Sequence, residues 1–179
     1  TGHDLDIAYQ FRERDMKEHS GFGRQFRYRV NITGGRGENG PDAQATLRSL
    51  PLAPIEISRL GIEKDILDNL RPEQGMNLIC GPTGSGKSTL LSSAVRHLCE
   101  DPRRHEKVLE FSSPIEYVYW ELEFPHSFVH QVHAGETLRP RSSARGAEDS
   151  IWEYCTRNSL RRKPSMIIIG ESRDTPTMK

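Results

Sequence analysis

The chain has 179 residues, room for one full domain with a sizeable core or for one domain and part of another. Hydrophobic residues make up 34%, charged residues 28%, and the formal net charge is zero, which excludes a uniformly disordered chain and a bulk-charge case for nucleic acid, although Arg161, Arg162 and Lys163 form a local basic run. No apolar run approaches the roughly 20 residues of a membrane-spanning helix, and Cys80, Cys99 and Cys155, odd in number and without a close pair, argue against a disulfide framework and for a reducing compartment.

In chain order, TGHDLDIAYQFRERD is highly charged and only partly periodic. QFRYRVNI is clearer: Phe26, Tyr28, Val30 and Ile32 share one parity, which predicts a half-buried strand displaying Arg27 and Arg29 on its other face. Gly34 to Pro41 reads as a turn or loop, DAQATLRSL as a short helix or a strand, and Pro51 and Pro54 as a linker. Leu60, Ile62, Ile66 and Leu70 suggest one or two short helices, MNLIC at 76–80 a buried strand, and STLLSSAVRHLCE a helix. EKVLEF and MIII supply two further strands, with WEYCTRNSLRRK helical between them. The expected organisation is a partial small domain over 1–50, a linker with short helices over 51–72, and a partial α/β unit over 73–179.

The strand-to-helix junction carries the chemistry. Gly81, Pro82, Thr83, Gly84, Ser85, Gly86, Lys87 and Ser88 match G-x-x-x-x-G-K-[ST] in full, followed by Thr89 at the helix start. Glycines there let backbone N–H groups converge on phosphate oxygens while the helix N-terminus adds positive potential. Lys87 would engage the β- and γ-phosphates and Ser88 would offer its hydroxyl to magnesium. A glycine-rich structural turn is the bland alternative. Glu171, at the end of MIIIGE, is a second candidate for magnesium or for polarising water, against the alternative of a solvated acid after a core strand.

Two acids lie in LEFSSPIEYV. Glu116 follows Pro114 where the chain leaves the strand, the end at which open α/β sheets gather ligands, so it is the candidate that orients or deprotonates attacking water. Glu110, within the strand, is assigned a structural role. Arg27, Arg29 and Arg48 are candidates to reach phosphate across a domain or subunit boundary, weighed against surface salt bridges.

Together GPTGSGKST, SSPIEYV and IIIGESRD, with FRYRVN and TLRSLP upstream, resemble the secretion and pilus-motor ATPases of the PilT/GspE superfamily, with the flavour of the DotB/TraJ branch of type IVB secretion and conjugation. The resemblance implies a RecA-like P-loop ATPase core, incomplete at its C-terminus and lacking the family's histidine-bearing box, preceded by part of a PAS-like α+β domain. It implies ATP and Mg2+, a homohexamer, cytoplasmic location with recruitment to the bacterial inner-membrane face, partners in a type IV secretion or conjugation apparatus, and no direct nucleic-acid binding. Glu116 matches the catalytic glutamate, Glu171 the Walker B acid, and Arg27, Arg29 and Arg48 resemble phosphate-sensing arginines. Ser112 and Ser113 stand where the family has Glu-Asp, and Ser172 where methionine is common. A RecA-like nucleic-acid-dependent helicase or recombinase, and a nucleotide-regulated module that does not hydrolyse, are the competing readings.

Overall fold

In the computed structural model, residues 5–12, 25–38, 40–71, 74–134 and 151–170 are described. Two three-stranded sheets organise them. The first is antiparallel, in the order β1 (Leu5–Arg12), β2 (Gln25–Gly37), β3 (Gly40–Leu50). Its outer face is aromatic: Phe11 lies opposite Phe26 in the ladder and their rings stack at 5.2 Å, a cross-strand pairing of the kind that fixes register.

That register corrects two expectations. The ladder runs down to Gly37 opposite Gly40, so Gly34 to Gly37, Gly40 and Pro41 belong to strands, and of the predicted loop's described residues only Glu38 is a turn. The arginine face of β2 is not displayed to solvent. It turns inward, and Arg27 is only 4% exposed, because the aromatic side chains satisfy one another on the outer face and the guanidiniums find carbonyl and carboxylate partners on the inner one. The segment DAQATLRSL is strand, within β3.

The connection from Pro51 leads through a 3-10 turn, Ile57–Leu60, and the short α1, Lys64–Asp68, as the apolar spacing predicts. MNLIC does not form the predicted strand: Met76 and Leu78 are 83% and 66% exposed, and 76–80 has no ladder partner among the described residues. Composition suits a strand there, but a strand exists only where a neighbouring backbone takes up its N–H and C=O groups.

The second sheet is parallel, in the order β5 (Phe128–His133), β4 (Lys107–Ser112), β6 (Met166–Ile169). Central β4 is covered on both faces, as parallel strands usually are. Val108 packs with Val95 and Cys99 of α2 (Lys87–Glu100) on one side; Leu109 and Phe111 pack with Trp152 and Cys155 of α3 (Ile151–Leu160) on the other. Alternation therefore assigns Val108, Glu110 and Ser112 to the α2 face. This parity decides which side chains reach the head of α2.

Candidate functional site

The head of α2 is built by the glycine-rich loop. Gly84 and Gly86 take φ of 79° and 90°, in the region that disfavours side chains, and Gly86 is the residue from which α2 starts. Gly81 leaves space for Ser85, whose Oγ would stand 2.7 Å from a Cβ at that position. The first turn of the 14-residue α2 has no acid to offset its N–H groups, so positive potential faces outward there. Lys87 Nζ donates to the carbonyls of Gly81 and Pro82, both at 2.8 Å, which folds the ammonium over the loop.

A cleft of about 440 Å³ opens at this point. Of the predicted loop residues, Thr83, Gly84, Gly86, Lys87, Ser88 and Thr89 border it; Gly81, Pro82 and Ser85 are not among its lining residues. Glu116 borders it from the loop after β4, and Arg29 and Arg48 from β2 and β3. Arg48 and Arg29 both donate to Glu116 Oε1, at 2.5 and 3.3 Å, and Arg29 also clasps Asp6 through Nε and a terminal nitrogen. One carboxylate thus faces two guanidiniums supplied by the other sheet.

Arg27 is not among the cleft-lining residues. Its terminal nitrogens donate to the carbonyls of Pro51, Ile115 and Glu116 at 3.0, 2.8 and 2.7 Å, which ties β2 to the start and end of the segments that frame the cleft. Burial lowers its pKa, an effect opposed by the charge of Glu110. Glu171 lies outside the described residues.

Two residues outside the predicted site set also border the cleft. Glu110, assigned a structural role from the sequence, is one; burial pushes its pKa up, while hydrogen bonds from Ser112 and Gln131 and the charge of Arg27 pull the other way. Tyr117 hydrogen-bonds through its hydroxyl to Thr89 Oγ1 at 2.8 Å, so the Pro-Ile-Glu loop is tied to the first turn of α2. The signal for Glu110 was its shared parity with Ser112; nothing in the sequence pairs Tyr117 with Thr89.

A model of the type II/IV secretion system protein family matches residues 39–179. The chain belongs to that family. It is 36% identical to the ATPase DotB of Legionella pneumophila, whose crystal structure it matches with a TM-score of 0.81 over 98% of this chain and 42% of that one. The pilus retraction motor PilT, solved with bound ADP, matches at 30% identity and a TM-score of 0.69, again over 98% of this chain and 42% of that one. The type IV pilus retraction ATPase PilT of Pseudomonas aeruginosa is 31% identical over 86% of this chain and 39% of its own length. Type II secretion system protein E of Aeromonas hydrophila is 35% identical over 69% of this chain and 21% of its own. The chain thus spans about two-fifths of DotB and less of the type II protein. These likenesses support membership of the PilT/GspE superfamily of ATPases, with DotB similarity and a mixed α/β ATPase fold.

Magnesium is the metal that this family implies. The described residues contain no group of three His, Cys, Asp or Glu that would cage an ion. Mg2+ keeps several waters and takes only one or two protein oxygens beside phosphate. Ser88, bordering the cleft at the head of α2, fits as such an oxygen.

Proposed function

We propose that this chain is part of a Mg2+-dependent, ATP-hydrolysing motor that powers type IV secretion, in the branch serving type IVB effector secretion or conjugative transfer. The observation that carries the reading is the meeting, in one cleft, of the phosphate loop with Glu116 and the two arginines Arg29 and Arg48. The DotB likeness supports the choice of branch. The separate sheets of residues 5–50 and 107–169 support a division into a small PAS-like unit over 1–50, a linker over 51–72 and a RecA-like unit over 73–179.

In this reading the backbone N–H groups of 83–89 and the Lys87 ammonium hold the phosphate chain. Lys87 leaves two carbonyl acceptors, Gly81 O and Pro82 O, for phosphate oxygens that carry full charge, an exchange favoured by charge-assisted bonding. Glu116 accepts a hydrogen from the water that attacks the γ-phosphorus in line, and aligns it. Arg29 and Arg48 neutralise charge spreading over the equatorial oxygens; the planar fork of arginine suits both a carboxylate and a phosphoryl group, so the guanidiniums that now meet Glu116 can pass to phosphate. Ser88 and Glu171 would hold magnesium, which would supply positive charge against the phosphate oxygens. Assembly as a homohexamer, cytoplasmic location and recruitment to the inner-membrane secretion apparatus complete the proposal. No described helix is long and apolar enough to cross a membrane.

The test is ATP turnover by the intact protein with and without Mg2+, beside Lys87→Ala. Metal-dependent release of phosphate that Lys87→Ala abolishes supports the reading. Turnover that survives Lys87→Ala contradicts it, and binding of ATP without turnover by the intact assembly would favour a regulatory module instead.

A further inference from the structure

Glu110 has no part in the reaction proposed for this cleft, although it borders it with Lys87 and Glu116. It is 8% exposed, and a carboxylate so far from water persists only with partners for its oxygens. Ser112 Oγ donates to Glu110 Oε1 at 2.8 Å. Gln131 Nε2, from the residue directly opposite on β5, donates to Oε2 at 2.9 Å and also to Tyr117 O at 2.8 Å, so both amide hydrogens are assigned and the orientation of the amide is fixed. Arg27 supplies opposing charge.

A serine hydroxyl has one hydrogen and two lone pairs. With its hydrogen given to Glu110, Ser112 Oγ has only lone pairs for any further partner. Space beside that oxygen is kept by Gly170: a Cβ there would stand 2.5 Å from Ser112 Oγ and 3.0 Å from its Cβ. Ser112 and Gly170 both border the cleft. A buried acid, a hydroxyl polarised by it, and a glycine that leaves the hydroxyl reachable therefore stand together at the ends of β4 and β6.

We propose that Glu110 is a positioning residue: by taking the Ser112 hydrogen it makes Ser112 Oγ an obligate acceptor, which holds a water in the cleft beside the phosphate chain. A phosphate oxygen, itself an acceptor, is turned away from the same spot. The loop of 81–89 gathers the anion, and the β4 end excludes it and admits a hydrogen donor. This inference rests on the reading of the cleft as a nucleotide phosphate site.

Glu110→Gln tests the polarity. Because Gln131 keeps its N–H aimed at residue 110, the new amide offers its oxygen to Gln131 and its N–H to Ser112, which then accepts and turns its own hydrogen toward the cleft. In the intact protein, Glu110→Gln and Ser112→Ala each lower kcat for ATP by about 10- to 100-fold, while the Kd of a non-hydrolysable ATP analogue stays within about twofold. Since Glu110 acts through Ser112, adding Glu110→Gln to Ser112→Ala costs no more than about twofold further, the signature of coupled residues. Equal losses from Glu110→Gln in both backgrounds would mean a structural role and overturn the proposal. Ser112→Ala removes a single oxygen and spares the buried acid, so a wild-type kcat in that variant overturns the proposal alone. A wild type without turnover, indistinguishable from Lys87→Ala, refutes the hydrolytic reading and this inference with it; turnover present but uncoupled refutes only this one.

Discussion

Replacing Arg27 with methionine keeps an unbranched apolar stem and removes the guanidinium. Three hydrogen bonds disappear, to the carbonyls of Pro51, Ile115 and Glu116. Bonds to a charged group contribute about 1.5–3 kcal/mol each, so the gross loss is roughly 4.5–9 kcal/mol. Part is offset, because burial already disfavours the guanidinium charge. A net cost near that of three carbonyls left without donors, about 3 kcal/mol at roughly 1 kcal/mol each, is the working figure. At about 2–4 °C per kcal/mol for a chain of this size, the thermal midpoint falls by roughly 6–12 °C, measured by circular dichroism or calorimetry. Arg27→Lys, which keeps the charge without the fork, falls between wild type and Arg27→Met. A midpoint for Arg27→Met within about 2 °C of wild type would refute the assignment of Arg27 as the tie between the sheets.

Two predictions concern the other charges. Arg48 is 59% exposed, so its ion pair with Glu116 contributes at most about 1 kcal/mol, and Arg48→Gln leaves the thermal midpoint nearly unchanged. If Arg48 serves phosphate, the same variant lowers ATP turnover by about 10-fold or more; unchanged steady-state turnover would remove it from the site. For Glu110, burial raises the folded-state pKa above the unfolded one, so the folded protein holds the proton more tightly. Stability then falls as pH rises from the ordinary glutamate value through the raised one. Glutamine does not titrate, so the thermal midpoint of Glu110→Gln relative to wild type climbs over that range; a difference flat or falling with pH contradicts the stated direction.

Much of this architecture was legible because the patterns were strong. The run of β2, the helix after the phosphate loop, β4, β6 and α3 all follow from periodicity and from the loop motif. In β1, Leu5, Ile7, Tyr9 and Phe11 alternate with Asp6, Ala8, Gln10 and Arg12, but charged flanks masked the pattern. In β5, FVHQVH carries two histidines and a glutamine on a strand only six residues long, too polar and too short to stand out. MNLIC had the composition of a strand but no backbone partner among the described residues, which no local pattern reveals.

Most residues that border the cleft were legible in the sequence, and their partners less so. Arg27 and Arg29 lie two residues apart on one face and look equivalent in sequence; the loop after β4 gives Arg27 carbonyls and Arg29 the Glu116 carboxylate, and β1 gives Arg29 that of Asp6. Glu110 was judged by its position inside a strand, when the telling fact was the face it shared with Ser112. Side-chain identity gives chemistry; which face meets the ligand depends on packing from distant segments.

Glu116 is the residue proposed to align the attacking water. Single-turnover release of phosphate from ATP, compared between the intact wild type and Glu116→Gln at equal occupancy by ATP, tests it most directly. A positioned base contributes about 10²- to 10⁴-fold, so Glu116→Gln is expected to bind ATP and to release phosphate slower by at least about 100-fold. Release within a few-fold of wild type would contradict it.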